Sequence, residues 1–303
     1  MKVLITGGAG FIGSHLAAAW VGRGAEVVVL DNLRTGKREN LAGIGCRLVE
    51  GSIEDAALVA ELCRGVDVVN HLAAMVSVPE SVAKPAETEA VNVVGTLNVL
   101  EGCRRGGVGR LVFASTCAVY GMVDRPLHRE HDLPEPISPY AISKLAGEHY
   151  LAMYRQLYGL PTVALRCFNV YGPRQDPNSA YAGAVAIFSR RARRHEPLTV
   201  FGDGEQTRDF IFVEDVVAAY LATSERGEGV YNVAAGRRIT VNDLAREIVA
   251  LGGSRSEIVH APDRPGDVRH SRGDTARLES LGWAPKVPLA EGLRRTLDSH
   301  QAD

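Results

Sequence analysis

Short apolar runs alternate with longer amphipathic segments along the first half of the chain. The apolar runs are rich in β-branched residues and lie at residues 2–6, 26–30, 47–52, 67–74 and 110–115. Helical patterns lie between them at residues 14–23, about 54–63 and 87–104, and a further helix opens at Pro139. Such alternation, without internal repeats, is typical of a parallel sheet covered by helices. We therefore predict an α/β fold with a doubly wound parallel sheet.

The second half of the chain continues this pattern less regularly. It predicts a sixth strand over 165–173, a strand and turn over 198–204, a strand and helix over 210–223, and a last sheet strand over 230–233. At 303 residues the chain exceeds the usual size of one domain. We predict a sheet domain from residues 1–168 and about 210–236, and a smaller mixed α/β domain from about 169–209 and 237–303. A ligand is expected across the carboxyl ends of the strands, in the cleft between these domains.

The composition narrows the class of protein. The net charge of −2 gives no electrostatic reason to expect nucleic acid or a membrane surface as a partner. No apolar run approaches the length of a bilayer span, and the first residues lead straight into a strand, so we expect no signal peptide. The five cysteines form no CxxC pair and the nine histidines show no ligand spacing. We therefore predict no metal, and free thiols in a reducing cytoplasm.

The first predicted strand breaks into a glycine-rich turn over residues 7–13. Gly7 and Gly10 leave room for a pyrophosphate beside the backbone, and Gly13 lets the next helix lie close to the strand. The first turn of that helix directs free N–H groups and a partial positive charge at the phosphates. Asp31 ends the second strand, where a carboxylate accepts hydrogen bonds from the adenosine ribose. These elements together predict a Rossmann domain that binds a dinucleotide.

The residues that follow Asp31 leave two cofactors to weigh. Arg34 and Lys37 are cations of the kind that the 2′-phosphate of NADP requires. Asp31 argues the other way, because a carboxylate at the ribose repels that phosphate. We therefore predict that the cofactor is NAD.

Two segments carry candidate catalytic chemistry. Tyr140 and Lys144 lie four residues apart at the start of a predicted helix, so they share one face, about 6 Å apart along the axis. A phenol is a poor base at its ordinary pKa near 10, but a neighbouring ammonium and an oxidised nicotinamide favour the phenolate. Thr116, at the end of the fifth predicted strand, can orient a substrate alcohol. We interpret the three residues as catalytic; a tyrosine and lysine on an ordinary surface helix are the alternative.

Two other features resemble functional sites but are predicted to be structural. His71 lies inside an apolar strand, where a histidine is more often a hydrogen-bonded core residue than a catalyst. Residues 189–194 contain four arginines, at positions 190, 191, 193 and 194. Such a run can bind phosphate or nucleic acid, but with an acidic total charge we expect a solvated helix face.

With these motifs together, the chain resembles the NAD-dependent epimerase/dehydratase family of extended short-chain dehydrogenases/reductases, which act on nucleotide sugars. The resemblance covers essentially the whole chain, and Asp31-Asn32-Leu33, Leu72-Ala73-Ala74 and Asn92 add to the motifs already described. One departure is Ser52, where many relatives carry an aspartate that contacts adenine. The implied cofactor contacts are Gly7, Gly10, Phe11, Ile12, Gly13, Asp31, Asn32, Thr35, Gly36, Ser52, Ile53, Leu72, Ala73, Ala74, Asn92, Ser115, Tyr140, Lys144 and Phe168.

The resemblance also implies a UDP-sugar as the substrate. Arg208 looks like a pyrophosphate clamp, since its guanidinium fork suits bidentate phosphate contact. Residues 176–182 are similar to epimerases acting on UDP-N-acetylhexosamines, and Ser271 stands where enzymes restricted to UDP-glucose and UDP-galactose carry a tyrosine. The implied substrate contacts are Ser77, Thr116, Tyr140, Asn169, Ala184, Val185, Thr199, Val200, Phe201, Arg208, Arg264, Asp267 and Ser271.

The resemblance further implies a first chemical step, in which Tyr140 takes the proton of the sugar 4-hydroxyl while hydride passes from C4 to NAD. Dehydratases and decarboxylases of the family carry acids at positions that are Cys117 and Ala118 here. Neither residue can act as an acid or base for elimination, so the sequence favours 4-epimerisation of UDP-hexoses, both plain and N-acetylated. A strict UDP-glucose 4-epimerase, another nucleotide-sugar oxidoreductase or dehydratase, and a non-catalytic NAD-binding protein are the alternatives. We also predict a homodimer formed through the helices near 91–104 and 143–158.

Overall fold

Seven parallel strands form the central sheet of the protein in a computed structural model that describes residues 1–123, 125–178, 183–263 and 268–299. The strands along the chain are β1 (Lys2–Thr6), β2 (Glu26–Asp31), β3 (Arg47–Glu50), β4 (Val68–His71), β5 (Arg110–Thr116), β6 (Thr162–Cys167), β7 (Asn169–Tyr171), β8 (Leu198–Phe201), β9 (Thr207–Arg208), β10 (Phe210–Phe212), β11 (Gly229–Val233), β12 (Ile239–Thr240) and β13 (Ile258–Ala261). The helices are α1 (Phe11–Gly22), α2 (Ala56–Leu62), α3 (Val78–Ala83), α4 (Pro85–Glu89), α5 (Gly95–Gly106), α6 (Pro139–Tyr158), α7 (Ala184–Arg193), α8 (Val213–Glu225), α9 (Val241–Leu251), α10 (Ala276–Glu279) and α11 (Leu289–Ser299).

The order of strands in the large sheet is β3-β2-β1-β4-β5-β6-β11, with every neighbouring pair parallel. The chain runs outward from β1 to β3 and then returns to place β4 on the other side of β1. This reversal opens a crevice at the carboxyl ends of β1 and β4, which is where doubly wound sheets bind their ligands. The predicted fold class is confirmed.

Alternate residues of β1 pack into two different cores, one on each face of the sheet. Val3 and Ile5 lie in a cluster with Trp20 of α1 and Tyr220 of α8, whereas Leu4 lies in a cluster with Leu100 of α5. All three β1 residues are fully buried. Burial of both faces explains why the strand sequences are continuously apolar rather than alternating. None of the helices in the described part of the chain is both long and apolar enough to cross a bilayer.

The sixth predicted strand is wrong in one respect, because residues 165–173 belong to two separate strands. Strand β6 ends at Cys167, and the backbone N–H of Phe168 donates to the carbonyl of Val233 in β11 over 2.9 Å. The next N–H, that of Asn169, donates instead to the carbonyl of Asp209 over 3.1 Å, and β7 then pairs with β10. Phe168 is therefore the point at which the chain leaves the large sheet.

Strand β10 lies away from the large sheet, although its residues were expected in the sheet domain. Phe210 and Phe212 pack in a third core with Val185 of α7, Leu244 of α9 and Leu293 of α11. Helix α8 and strand β11 return to the large sheet as expected, since α8 packs on α1 and β11 pairs with β6. The division of the chain into two domains stays a prediction.

The helix expected over 87–104 is interrupted by a wider, π-helical turn at Ala90–Val94. This turn carries Asn92, whose side-chain oxygen accepts from Met75 N over 2.8 Å. Its amide group donates to Met75 O over 3.0 Å and to Ser143 Oγ over 2.9 Å. Asn92 thus ties the loop after β4 to α6, and π-helical turns are frequent at such functional positions.

A buried ion pair joins α6 to β6 beneath the end of β5. Arg166 donates two parallel hydrogen bonds to Glu148, Nε to Oε1 over 2.9 Å and Nη2 to Oε2 over 2.7 Å. Each side chain is only 4% exposed. Ser115 also donates to Glu148, and the guanidinium lies 4.8 Å from the ring centroid of Tyr120. Because Ser115 of β5 donates to the same carboxylate, the pair also fixes the distance between helix α6, which carries Tyr140, and strand β5, which carries Thr116.

Replacing Arg166 with methionine should destabilise the fold strongly, because it leaves the buried Glu148 carboxylate without its partner. Removal of one member of a buried pair lowers the free energy of unfolding by about 3 kcal/mol or more. The exposed pair Arg38–Glu50 provides a control, and Arg38→Met should change stability by about 1 kcal/mol or less. Urea unfolding followed by circular dichroism measures both, and equal losses would contradict the role given to the buried pair.

Candidate active site

A cavity of about 850 Å³ opens at the carboxyl ends of β1, β2, β4, β5 and β6. It is lined by every residue predicted to contact the cofactor except Asn92. Those lining residues are Gly7, Gly10, Phe11, Ile12, Gly13, Asp31, Asn32, Thr35, Gly36, Ser52, Ile53, Leu72, Ala73, Ala74, Ser115, Tyr140, Lys144 and Phe168. We name the two ends of the cavity after the roles predicted for their residues: the adenosine end at Asp31 and the catalytic end at Thr116 and Tyr140.

Gly7 and Gly13 of the glycine turn have no space for a side chain. A Cβ on Gly13 would stand 2.3 Å from the carbonyl oxygen of Gly7, so only glycine allows α1 to begin so close to β1. Gly7 has φ +71° and packs against the backbone of Ala73, where a Cβ would come within 2.7 Å. Helix α1 begins after Gly10 with no side-chain cap. Its first residues line the cavity, so its free first-turn N–H groups are available to a ligand there. This cradle fits a pyrophosphate.

Asp31 is held rigidly at the adenosine end. One carboxylate oxygen accepts from Ala9 N over 2.9 Å and the other from Leu33 N over 2.8 Å. Burial raises the pKa of Asp31, while these two hydrogen bonds lower it. Each carboxylate oxygen accepts more than one hydrogen bond, so both remain able to bind ribose hydroxyls.

The cations near Asp31 are paired with acids of this chain. Arg34 contacts Glu80 over 2.6 Å and Glu87 over 2.5 Å. Lys37 contacts Asp176 over 2.8 Å. These three acids and Asp31 all line the cavity together with the two cations. A 2′-phosphate would therefore meet more negative than positive charge, which favours NAD over NADP.

Helix α6 and strand β5 bring the candidate catalytic residues together. Ser138 caps α6 by accepting from Ala141 N over 3.2 Å, so Tyr140 lies in the first turn and Lys144 one turn later. The Tyr140 hydroxyl lies beside the Thr116 hydroxyl, close enough for Thr116 to affect its pKa. The ammonium of Lys144 lies 4.7 Å from the ring centroid of Phe113.

Burial dominates the protonation of both α6 residues. It raises the pKa of Tyr140, although the neighbouring Thr116 hydroxyl acts in the opposite direction. It lowers the pKa of Lys144 to about 7. Both shifts favour the neutral forms. The phenolate was expected from the ammonium together with an oxidised nicotinamide, and bound NAD would add that second positive charge next to Tyr140.

Among the described residues, four predicted contacts line neither large cavity: Asn92, Ser77, Val200 and Ser271. Asn92 is committed to Met75 and Ser143, as described above, and is buried behind the cavity wall. Ser77 is 1% exposed and caps α3, where its hydroxyl accepts from Glu80 N over 2.9 Å. In the structure Asn92 and Ser77 shape the wall of the cavity rather than its surface.

A second cavity of about 500 Å³ adjoins the first, and Val170 and Gln175 line both. The predicted substrate contacts that line it are Asn169, Ala184, Val185, Thr199, Phe201 and Arg208. Val200 instead points into the third core and is fully buried. Arg264 and Asp267, together with residues 179–182, lie outside the described residues.

Ser271 is buried next to the catalytic end. Its hydroxyl lies near the thiol of Cys117, which directly follows Thr116. Its backbone N–H donates to Thr207 O over 3.2 Å. Nearby, the buried carboxylate of Asp209 accepts from Gly273 N over 3.2 Å and from Ala235 N over 2.9 Å. These bonds hold the segment that carries Ser271 against the sheet.

One arginine of the 190–194 run was assigned wrongly. Arg191 lines the second cavity and donates to Pro197 O over 2.9 Å and to Thr199 Oγ1 over 3.0 Å. It lies on one helix face with Val185 and Phe188, which also line the cavity, and this three-residue spacing was the available signal. Gln206 and Tyr220 also line the cavities and were not predicted.

His71 is a core residue, as predicted. Its ring nitrogens are hydrogen-bonded to Thr6 Oγ1 over 2.7 Å and to Thr96 Oγ1 over 2.9 Å. Burial, and then the charge of Lys144, lower the pKa of His71 to about 3, so it is neutral under ordinary conditions.

Comparison with known proteins agrees with this geometry. A sequence profile of the NAD dependent epimerase/dehydratase family matches residues 3–234. The UDP-glucose 4-epimerase of Mycolicibacterium smegmatis is 42% identical over 308 residues, covering 98% of both chains. Among solved structures, the UDP-glucose 4-epimerase of Thermotoga maritima with UDP-glucose has a TM-score of 0.95 at 43% identity, covering 99% of this chain and 98% of that one.

A third similar protein is a UDP-N-acetylglucosamine 4-epimerase from Methanobrevibacter ruminantium M1, solved with UDP-N-acetylmuramic acid. Its TM-score is 0.95 at 37% identity, and the match covers 98% of this chain and 97% of that one. Dehydratases and a decarboxylase of nucleotide sugars also occur among the relatives, at lower identity. The chain belongs to the NAD-dependent epimerase/dehydratase family. It is therefore an enzyme, and its cofactor is NAD.

Exchanging the charge at the adenosine end should change the choice of cofactor. In the double variant Asp31→Ala, Asn32→Arg, a cation replaces the carboxylate, so the ratio of the NADP to the NAD dissociation constant should fall about tenfold or more. Isothermal titration calorimetry measures both constants. Glu50→Ala, which removes an exposed acid outside the cavity, should leave the ratio unchanged. Equal binding of NAD and NADP by the parent protein would contradict this role of Asp31.

Proposed function

We propose that this enzyme is a 4-epimerase of UDP-hexoses. The observation that carries the proposal is the placement of two neighbouring hydroxyls, Tyr140 and Thr116, with Lys144 at the catalytic end of the NAD cavity. The NAD cavity shares Val170 and Gln175 with the second cavity, which supports entry of a sugar linked to a nucleotide from outside the NAD site. The similarity to epimerases over nearly the whole chain supports the same conclusion.

The proposed reaction begins with proton removal by Tyr140. NAD supplies reversible hydride transfer at C4 of the sugar. Tyr140 takes up the proton of the 4-hydroxyl, and Thr116, whose hydroxyl lies beside that of Tyr140, orients the 4-hydroxyl. Lys144, one helical turn beyond Tyr140, favours the phenolate whenever it is charged. A general base of this kind contributes about a hundredfold or more to the rate.

The residues next to Thr116 favour epimerisation over elimination. Burial raises the pKa of the Cys117 thiol to about 11, so it stays protonated and cannot take up a proton from carbon. Ala118 has no ionisable group. Neither Cys117 nor Ala118 therefore offers an acid or a base for loss of the 6-hydroxyl from a 4-keto sugar. Reduction on the opposite face of the ketone is the remaining outcome and gives the 4-epimer.

The second cavity supports a nucleoside diphosphate as the carrier of the sugar. Arg208 and Arg191 both line it, and a guanidinium is suited to bidentate contact with phosphate. Phe201 and Val185 offer apolar surface for a base. Uracil is the base that we propose, in line with the UDP-sugars named for two of the similar structures.

We further propose that N-acetylated and plain UDP-hexoses are both accepted. Ser271 is a small side chain near Cys117, the residue that directly follows Thr116. A serine leaves space at the 2-position of the sugar that a tyrosine ring would fill. The alternative is a strict UDP-glucose 4-epimerase in which another group closes that space.

A homodimer and a cytoplasmic location also stay proposals. Val94 beside α5, and Ile142 and Leu157 on α6, are large apolar side chains that are about half exposed or more. Helices α5 and α6 pack on each other, so these residues support a shared interface. All five cysteines are free thiols, which is consistent with a reducing compartment.

Tyr140→Phe should reduce turnover of UDP-galactose by about a hundredfold or more, because the variant keeps the ring but has no proton acceptor. Binding of NAD and the far-ultraviolet circular dichroism spectrum should be retained. Tyr158→Phe, at the exposed end of the same helix, is the matched control and should keep full activity. Normal turnover by the first variant would refute the assignment of the base. A parent protein that binds NAD but converts no UDP-sugar would refute catalysis altogether.

Ser271→Tyr should abolish conversion of UDP-N-acetylglucosamine but retain conversion of UDP-galactose, since the ring excludes the N-acetyl group without touching Tyr140. Proton NMR of each sugar nucleotide measures both reactions. Ser271→Ala removes the hydroxyl but keeps the space, so it should retain both. Equal loss on the two substrates in the tyrosine variant, or no activity of the parent on the N-acetylated sugar, would contradict the proposal.

A further inference from the structure

Tyr220 is a buried phenol whose hydroxyl finds no hydrogen-bond partner among the described residues. The side chain is 0% exposed and lies on α8, in the core between that helix and the large sheet. Buried tyrosine hydroxyls normally have a partner, because removal of the group from water is unfavourable unless a hydrogen bond replaces it. A phenylalanine would fill the same space in this core without that penalty. The oxygen therefore requires an explanation.

Other buried tyrosines of this chain satisfy their hydroxyls. Tyr120 donates to Asn232 Oδ1 over 2.7 Å, and Tyr154 donates to Glu101 Oε1 over 2.7 Å. Tyr120 and Tyr154 are also almost fully buried. Tyr220 differs from them in its position, because it lines the NAD cavity.

The cavity wall around Tyr220 is the catalytic end. Ala114 of β5 and Cys167, the last residue of β6, line the cavity there together with Phe168. Tyr220 lies close enough to Cys167 and Tyr140 for both to raise its pKa after burial, so its hydroxyl is neutral and able to donate. It approaches from α8, on the face of the sheet opposite to α6, which carries Tyr140.

The other parts of NAD have their own contacts elsewhere in the cavity. The adenosine ribose belongs at Asp31, and the pyrophosphate belongs at the uncapped start of α1. The nicotinamide is left for the catalytic end, where Ala114, Cys167 and Phe168 present mainly apolar surface. The polar group that a nicotinamide ring itself carries is its carboxamide, which both accepts and donates hydrogen bonds.

We propose that the Tyr220 hydroxyl binds the carboxamide of the nicotinamide ring and so fixes the orientation of the ring in the cavity. A fixed ring presents the same face to the sugar in every turnover, and the catalytic hydroxyls are positioned relative to that face. Tyr220 is thus a cofactor-binding residue contributed by α8. This inference depends on NAD as the cofactor and not on the identity of the sugar or of the reaction.

Tyr220→Phe tests the proposal, with NAD and ADP-ribose as the two ligands. ADP-ribose keeps the adenosine, the pyrophosphate and a ribose but has no nicotinamide. Loss of one neutral hydrogen bond should weaken NAD binding by the full-length chain about three- to tenfold. Binding of ADP-ribose should not change. Titration calorimetry on the nucleotide-free protein, checked for folding by circular dichroism, measures the four constants.

Thermal stability distinguishes this role from a structural one. Because the hydroxyl has no protein partner, Tyr220→Phe should not lower the melting temperature of the nucleotide-free protein, and the extra stabilisation by NAD over ADP-ribose should shrink. Tyr154→Phe is the control: it removes a hydrogen bond to Glu101 and should lower the melting temperature while leaving the ratio of the two affinities unchanged. Equal weakening of NAD and ADP-ribose, or unchanged NAD binding, as a hydroxyl bound only to water would give, would overturn the proposal.

Discussion

The contact between Gly13 and the carbonyl of Gly7 sets the geometry on which the rest of the site depends. With no side chain at Gly13, the first turn of α1 lies directly against the end of β1. The same turn is pressed against Ala73 at the exit of β4, so the ends of the two central strands and the helix form one rigid corner. Uncapped N–H groups, the Asp31 carboxylate and the cavity between them all follow from this corner.

Burial of polar groups governs the chemistry at the opposite end of the cavity. The same effect that keeps His71 neutral in the core also raises the pKa of Tyr140 and lowers that of Lys144. The protein alone therefore favours the neutral forms of Tyr140 and Lys144. In the proposed reaction, the charge of oxidised NAD would favour the phenolate, which links proton removal to the bound cofactor.

The side chains at the catalytic end are positioned by a buried polar framework rather than by Tyr140 and Thr116 themselves. The Arg166–Glu148 pair joins β6 to α6, and Ser115 joins the same carboxylate to β5. Asn92 adds a second link, from the π-helical turn to Ser143 in the first part of α6. Because each group in this framework satisfies another, small displacements of α6 leave buried charge or amide groups unpaired, which is strongly unfavourable.

The sequence by itself determined the large sheet, the NAD corner and the helix that carries Tyr140 and Lys144, since each depends on residues close together in the chain. Apolar runs bury both faces of a strand, glycines permit close approach, and Tyr140 and Lys144 share a face at helical spacing. Tertiary structure alone decided where the chain leaves the sheet at Phe168, because that break depends on pairing with Val233 and Asp209, far along the chain. It also turned Arg191 and Tyr220 toward the cavities and Asn92 away from them. A local sequence pattern specifies the helix or strand to which a residue belongs. The groups that its polar atoms contact depend instead on packing between elements that are distant in sequence.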